Sequence, residues 1–459
     1  MTPALPPGPR TLRPGGSWRA FGRDPLGFLE RLARTYGPVA HFRIGPRHVF
    51  VLSDPDLVRE VLVVSPERFR KDRGLEMARV MLGDGLLTAH GETWRRHRRL
   101  AQPAFHPDRI AGAAAVMARR AAARVARWRD GDAIDAHREM AALALEIVAE
   151  ALFGADVEAE IPAIARALDD AVESFRMSRI PFAPLLDRLP VPSTVRVHRA
   201  RRTLDAILYR MIAARRAAGG GGDDLLGRLL AARDAEGGGA LSDLELRDEA
   251  MTIFLAGHET TGDALAWTID LLGRNPGARA RLEAEVDAVL GGRPPAPADV
   301  DRLPYARRVL TEGMRLYPPA WTLARQAIAD VPLGGFVLPA RATAMLPQWV
   351  IHRDPGLYPE PDRFDPDRWL PERRAGLPRL AYFPFGAGPR ICIGEGFAWT
   401  EGVLALAAIA SRVRLVPLAP VPPVPLPRIT LRPGGGVPVR VELRRPAQPT
   451  AAPNSRPTA

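Results

Sequence analysis

Two stretches of this sequence carry residue types that a packed interior does not require. The first is FLAGHETTGDAL, residues 254–265, which sets His258, Glu259 and Thr260 in the middle of an apolar run. His258-Glu259 begins the zinc-hydrolase pattern H-E-x-x-H, in which two histidines four apart share one helix face and grip a metal. Position 262 is Gly262, so no second imidazole stands one turn on and the zinc reading has no geometric basis. What remains is an acid and a hydroxyl side by side on a helix, a pair able to hold and pass protons.

The second stretch, FPFGAGPRICIGEGFA, contains Cys392, the one cysteine of the chain. Gly386, Gly388 and Gly394 bracket it, Pro389 stiffens the loop, and a helical pattern starts just behind it. Glycines let backbone come close to a ligand, and amides aimed at a sulfur stabilise a thiolate and tune a metal bound to it. A lone cysteine cannot build a disulfide, a cysteine zinc site or an iron–sulfur cluster. One thiolate on one iron, in a haem, is the arrangement left.

Both stretches need a scaffold, and the rest of the sequence supplies one. The 459 residues, 46% of them apolar, suffice for a large core. Residues 36–63 alternate apolar and polar with a Gly-Pro turn, which predicts a hairpin followed by a short helix. From about residue 90 to 290 the chain is Ala-, Leu- and Arg-rich with helical periodicity, broken by prolines at 181–192 and glycines at 219–222 and 237–239. Residues 243–273 form one sustained helical pattern ended by Asn275-Pro276, so AGHETTG falls mid-helix. Beyond residue 317 proline density rises into short strands and meander, and helix returns only after Cys392. The expected fold class is mainly α with a smaller β-rich part. Residues 1–20 read as a Pro/Gly/Arg-rich N-terminal segment, 21–445 as one domain, and 446–459 as a disordered tail lacking apolar content.

The net charge is +12 and the isoelectric point about 10.8. Lys71 is the one lysine, so the excess is carried by arginines scattered through acidic helices and loops, which fits a solvated surface and not nucleic-acid binding. The N-terminus has no apolar core of signal-peptide length and nothing near the roughly 18 apolar residues of a membrane span. Together with the single cysteine, this predicts a soluble, cytoplasmic protein with no transmembrane anchor.

Phe385, Gly388, Arg390, Cys392 and Gly394 fill the fixed positions of F-x-x-G-x-R-x-C-x-G, and on them the chain resembles the cytochrome P-450 superfamily of haem-thiolate monooxygenases. Three further motifs follow the family's order: WRRHR with Trp94 and Arg98, AGHETT with Ala256, Gly257, Glu259 and Thr260, and EGMR with Glu312 and Arg315. Together they span roughly residues 20–445. The resemblance implies a haem b between a long central helix and the cysteine loop, with Cys392 as axial iron ligand. Trp94 and Arg98 share a helix face within about 40°, and with Arg390 and Arg325 they become the implied partners of the haem carboxylates. Ala256 and Gly257 would let the helix pass close to the porphyrin. Thr260 would hold the proton network over the iron and Glu259 would feed it. In the family Glu312 and Arg315 join an arginine of the meander; Arg363 in PDRF and Arg368 in PDRW compete, and FDPDRW fits the pattern F-x-P-x-R-[FW] at Arg368.

The activity so implied is insertion of one atom of O2 into an apolar substrate, with a fatty-acid or terpenoid compound favoured. A peroxide-using or isomerising enzyme and a non-catalytic haem-binding protein are the rivals. The chain carries no G-rich flavin or nicotinamide motif, so a separate ferredoxin or flavodoxin-type donor with its reductase is expected. Arg95, Arg96 and Arg99, turned away from Trp94 and Arg98 at about 100° per residue, would form the patch that steers it. Residues 74–90, 170–195, Phe254, Leu255, 319–323 and 428–431 would line the substrate pocket.

Overall fold

The longest element among the described residues is the 32-residue helix Asp243–Arg274, here called the central helix. The structure, a computed structural model, describes residues 5–9, 16–167, 170, 192–222, 224–232 and 239–444. Ser242 starts the central helix with a reciprocal cap: its hydroxyl accepts from the Glu245 amide at 3.3 Å, and the Glu245 carboxylate accepts from the Ser242 amide at 2.8 Å. Asn275-Pro276 ends it, because proline cannot continue the hydrogen-bond ladder.

Small residues let other helices approach this one. A Cβ on Gly257 would lie 2.9 Å from Val148 Cγ2, and one on Gly262 would lie 2.9 Å from the Ala141 Cα, so Ala136–Phe153 crosses the central helix antiparallel at close range. Gly313 does the same for Pro304–Leu316, where a Cβ would meet Thr268 Oγ1 at 2.3 Å. The helices Gly91–Ala101, Pro107–Ala126, Pro192–Ala217, Pro276–Leu290 and Glu395–Arg412 complete the helical body, and a single apolar cluster runs through it.

The β part begins with the expected hairpin, Val39–Ile44 against Arg47–Leu52, followed by the helix Pro55–Arg59. It belongs to a five-stranded sheet in the order Val39–Ile44, Arg47–Leu52, Thr343–Leu346, Leu323–Ala327, Phe69–Lys71, with one parallel pair between the second and third strands. A three-stranded sheet of Ala133–Asp135, Pro438–Leu443 and Val413–Pro417, and two hairpins, Val331–Leu333 with Phe336–Leu338 and Val424–Pro427 with Leu431–Gly434, make up the rest.

Two expectations need correction. A boundary at residue 20 cuts the helix Gly16–Arg23, whose Ser17 and Phe21 are buried, and Pro7 O accepts from the His41 amide at 2.9 Å. The N-terminal segment is therefore folded onto the hairpin where it is described. Helix also returns before Cys392, as the short turns Gln348–Ile351 and Pro371–Arg374. The tail 446–459, the glycines at 237 and 238, and most of the stretch 170–195 lie outside the described residues.

Candidate active site

The cysteine loop is built by its glycines. Gly386 and Gly388 take φ of 74° and 69°, in the left-handed region. At Gly388 the backbone of Leu62 comes so near that a Cβ would fall 1.8 Å from its carbonyl oxygen. The Cys392 amide donates to Phe385 O at 3.0 Å, closing the loop, and Gly394 caps the helix Glu395–Arg412 directly behind the sulfur. Cys392 carries accessible surface, yet burial raises its thiol pKa, with the Gly394 amide pulling down, Glu395 pushing up and Arg98 pulling down. A coordinated metal reverses that balance, because a ligating thiol is deprotonated outright.

Beside the loop, cations converge. Arg98 donates to Ile391 O at 2.9 Å and to Gln102 at 2.7 Å. Arg390 lies over the Trp94 ring at 4.3 Å and donates to Ala89 O. Arg325 is the cross-strand partner of Lys71, whose ammonium donates to Leu86 O at 2.6 Å and also to Leu87 O. Burial, then Arg390 and Arg325, pushes Lys71 down to about 6. Burial, then Arg325 and Arg95, pushes Arg390 down to about 10. His90 is half-buried, and neither of its buried ring nitrogens has a partner among the described residues. Cations that depress one another are relieved by an anion set among them. A group bearing two carboxylates and a metal fits this donor set: Arg98, Arg325, Arg390 and Lys71 for the carboxylates, Cys392 for the iron. Lys71 had no motif to announce it, its one signal being that it is the sole lysine, and His90 was marked only as the last residue of the expected pocket segment 74–90.

On the central helix every residue from Leu246 to Leu272 is buried except Leu255, Ala256, Gly257 and Thr260. Ala256 is exposed, and the Thr260 hydroxyl one turn later donates to its carbonyl at 2.7 Å. The missing side chain of Gly257 also makes room for Val148. The Glu259 carboxylate turns away to the hairpin, accepting from the Thr430 hydroxyl at 2.6 Å and from Arg432 at 2.8 Å. Burial pushes its pKa up, but Arg432, the Thr430 hydroxyl and His258 outweigh burial and hold it below the ordinary value. Arg432 lies one residue past the segment 428–431 that the sequence pointed to as pocket lining. Phe254, also expected to line the pocket, is in the core, edge-on to Phe153 at 5.8 Å.

The structural triad forms around Glu312. Arg315 donates to it twice at 2.8 Å, Trp369 Nε1 at 2.9 Å, the Asp365 amide at 3.0 Å and Arg368 at 3.4 Å. Arg363 contributes only its backbone carbonyl, to Arg315, while its side chain is exposed beside Glu360. Arg315 also donates to His352 O and Pro361 O, which staples the meander that leads into the cysteine loop. Of the patch expected on Gly91–Ala101, Arg95 and Arg99 are outward beside Glu92. Arg96 is not: it reaches sideways to Glu245 and to Ala240 O, because the helix flank there abuts the start of the central helix.

A lone cysteine at the head of a helix, cations for two carboxylates and one open stretch on a buried helix define the site of a haem-thiolate protein. The comparisons agree. The family model Cytochrome P450 matches residues 6–436, and the chain belongs to that family. It is 44% identical to cyclooctatin synthase of Streptomyces melanosporofaciens over 92% of this chain and 94% of that one. It is 38% identical to pentalenene oxygenase of Streptomyces avermitilis over 95% and 96%. Among solved structures, the haem domain of cytochrome P450DA matches with a TM-score of 0.86 and 30% identity, covering 98% of this chain and 99% of that chain. The protein is thus a haem-dependent oxidoreductase, a monooxygenase of the P450 type. Among the described residues no helix is long and apolar enough to cross a membrane.

Proposed function

We propose that this monooxygenase acts on a cyclic terpenoid, in the cytoplasm, with electrons from a ferredoxin or flavodoxin-type protein. The observation that carries the reading is the open stretch Leu255–Thr260 in a helix otherwise buried from Leu246 to Leu272. It offers apolar contact and a single hydroxyl, which suits a hydrocarbon or a lightly oxygenated alcohol. Relatives named cyclooctat-9-en-7-ol 5-monooxygenase and pentalenene oxygenase, which by their names act on an alkenol and an alkene, support the class.

The haem, when bound, supplies the oxygen-activating chemistry, and a thiolate ligand favours O–O cleavage. Cys392 is the residue that ligates its iron; Arg98, Arg325, Arg390 and Lys71, with Trp94 flanking, hold its carboxylates. Ala256 keeps the helix surface low where oxygen and substrate must share space. The Thr260 hydroxyl, already donating to Ala256 O, retains lone pairs with which to accept a hydrogen bond. Glu259, held ionised by Arg432 with its carboxylate toward the hairpin, follows Thr260 as the group that collects protons for that network. Arg95 and Arg99 give an acidic electron donor an exposed cationic face.

The test uses Thr260→Ala with a terpene hydrocarbon that shifts the haem spin state, and fatty acids as controls. Haem, substrate and oxygen binding should persist, while product per electron donor oxidised falls and hydrogen peroxide rises. Coupling as tight as in the native enzyme would make Thr260 a packing residue, and a spin shift with fatty acids alone would remove the terpenoid assignment.

A further inference from the structure

Asp263 belongs to none of the motifs above, yet it lies one turn beyond Glu259 on the central helix and is completely buried. Its Oδ1 bonds His137 Nε2 at 2.8 Å, while its Oδ2 is buried with no hydrogen-bond partner among the described residues. His137 stands in the first turn of Ala136–Phe153, where the Asp135 carboxylate accepts from its amide at 3.0 Å. The His137 side chain is 20% exposed, against 0% for Asp263. The contact therefore runs from solvent-accessible imidazole to sealed carboxyl.

The charges facing this carboxyl are few. His137 comes from the neighbouring helix, Glu259 from its own, and Arg432 from the strand Leu431–Gly434. Burial raises the Asp263 pKa, His137 lowers it and the charge of Glu259 raises it again, with a net rise. Glu259, facing Arg432, Thr430 and His258, is held low. Two carboxyls one turn apart are thus pushed in opposite directions, the arrangement that separates a proton donor from a proton acceptor.

We propose that His137 and Asp263 form the proton inlet to the acid–hydroxyl pair, a role that rests on the reading of Glu259 and Thr260 given above. A proton taken from solvent by His137 passes from Nε2 to Asp263 Oδ1, and the carboxyl releases the one on Oδ2 through a water molecule to the Glu259 carboxylate, a step against the resting preference of the two groups that proton consumption beyond Glu259 draws forward. Asp263 ends each passage protonated on Oδ1 instead of Oδ2, so a turn of the carboxyl about its Cβ–Cγ bond resets it; His137 is left neutral, and no electrons move. The two oxygens of Asp263 suit this division because one is bonded toward the surface and the other is held free inside.

The experiment uses the haem-loaded enzyme and the variants Asp263→Asn, His137→Gln and Glu259→Gln. Infrared spectra at neutral pH, native minus Asp263→Asn, should show a protonated-carboxyl C=O stretch that shifts in D2O. The difference is needed because burial also raises Glu401 and Glu249. Both inlet variants should keep the thiolate carbon monoxide spectrum and form product about tenfold more slowly, with a larger solvent isotope effect, the modest end of what a positioned proton-transfer group contributes. Absence of the Asp263 carboxyl band, or native rates in both variants while Glu259→Gln is slow, overturns the inlet and leaves a static pair joining two helices. Native rates in Glu259→Gln itself overturn the underlying acid–hydroxyl reading, and the inlet with it. Lower melting temperature with native rate and isotope effect also overturns it.

Discussion

Arg432→Met isolates the contact that sequence reasoning missed. In the native protein the Glu259 carboxylate, its side chain 10% exposed, is held by Arg432 at 2.8 Å and Thr430 at 2.6 Å. Removing the guanidinium strands a carboxylate beside one hydroxyl, and losing one partner of a buried pair costs about 3–5 kcal/mol. For 459 residues the unfolding entropy is about 1 kcal/mol/K, so at about 1 °C per kcal/mol the melting temperature should fall by about 3–5 °C. The pH dependence gives the sign. In the native state burial raises the Glu259 pKa and Arg432 with its neighbours brings it below the ordinary value. Such a carboxylate contributes stability that is fully present above its unfolded pKa of about 4.3 and is lost as pH falls through the folded one. In the variant burial acts without the arginine, so the pKa moves above its unfolded value and protonation relieves the strain. The deficit should be largest near neutrality and should narrow toward about pH 5. Calorimetric melts across that range make the measurement, with the Glu259→Gln, Arg432→Met double variant recovering most of the loss because no buried charge remains. A single variant melting within about 1 °C of native at every pH would refute the reasoning and show that Glu259 finds water once Arg432 is gone.

Other expectations follow from the same geometry. Cys392→Ser should lose the carbon monoxide spectrum of thiolate-bound ferrous haem along with all oxygenation; an unchanged spectrum would remove Cys392 as the ligand. Arg95→Glu with Arg99→Glu should slow reduction by a ferredoxin, with native reduction weakening as salt screens the exposed charges, and leave stability within about 1 kcal/mol because pairs with Glu92 at the surface contribute little. Arg96→Glu should instead lower the melting temperature, since it sets like charge against Glu245. Gly388→Ala should abolish the folded haem loop, whereas Gly394→Ala, whose Cβ would meet nothing nearer than 3.9 Å, should cost the fold less than about 1 kcal/mol; equal effects on the two would contradict the loop geometry.

The sequence announced its elements where local signals are strong. The unbroken helical pattern at 243–273 and Asn-Pro at 275–276 marked the central helix to within a residue, and alternation marked the first hairpin. The loop around Cys392 was legible because Gly388 has no alternative there. Glu312, Arg315 and Arg368 were found through the spacing of a resemblance, which periodicity alone reads as an ordinary surface pair; only the fold shows that all three are buried. What remained hidden lies across long sequence separations. Nothing near Glu259 hints that Arg432 will hold it, nor near Asp263 that His137 will. The direction of Arg96 was misjudged for the same reason: helical geometry fixes its angle about its own axis but not which neighbour stands beside it.

Lys71 has a consequence for how complexes of this protein can be studied. The single lysine of the chain is 5% exposed, with its amine given to two carbonyls. The outer surface therefore presents guanidinium groups and no lysine amine. Reagents that couple amines to carboxylates, the usual means of trapping a transient electron-transfer complex, would find no lysine to attack. Capture has to go through the partner's own amines and this chain's acids, or through a lysine introduced at Arg95. That replacement keeps the charge but exchanges a planar, bidentate donor for a point charge, so it also reports how much of the docking depends on shape as opposed to attraction.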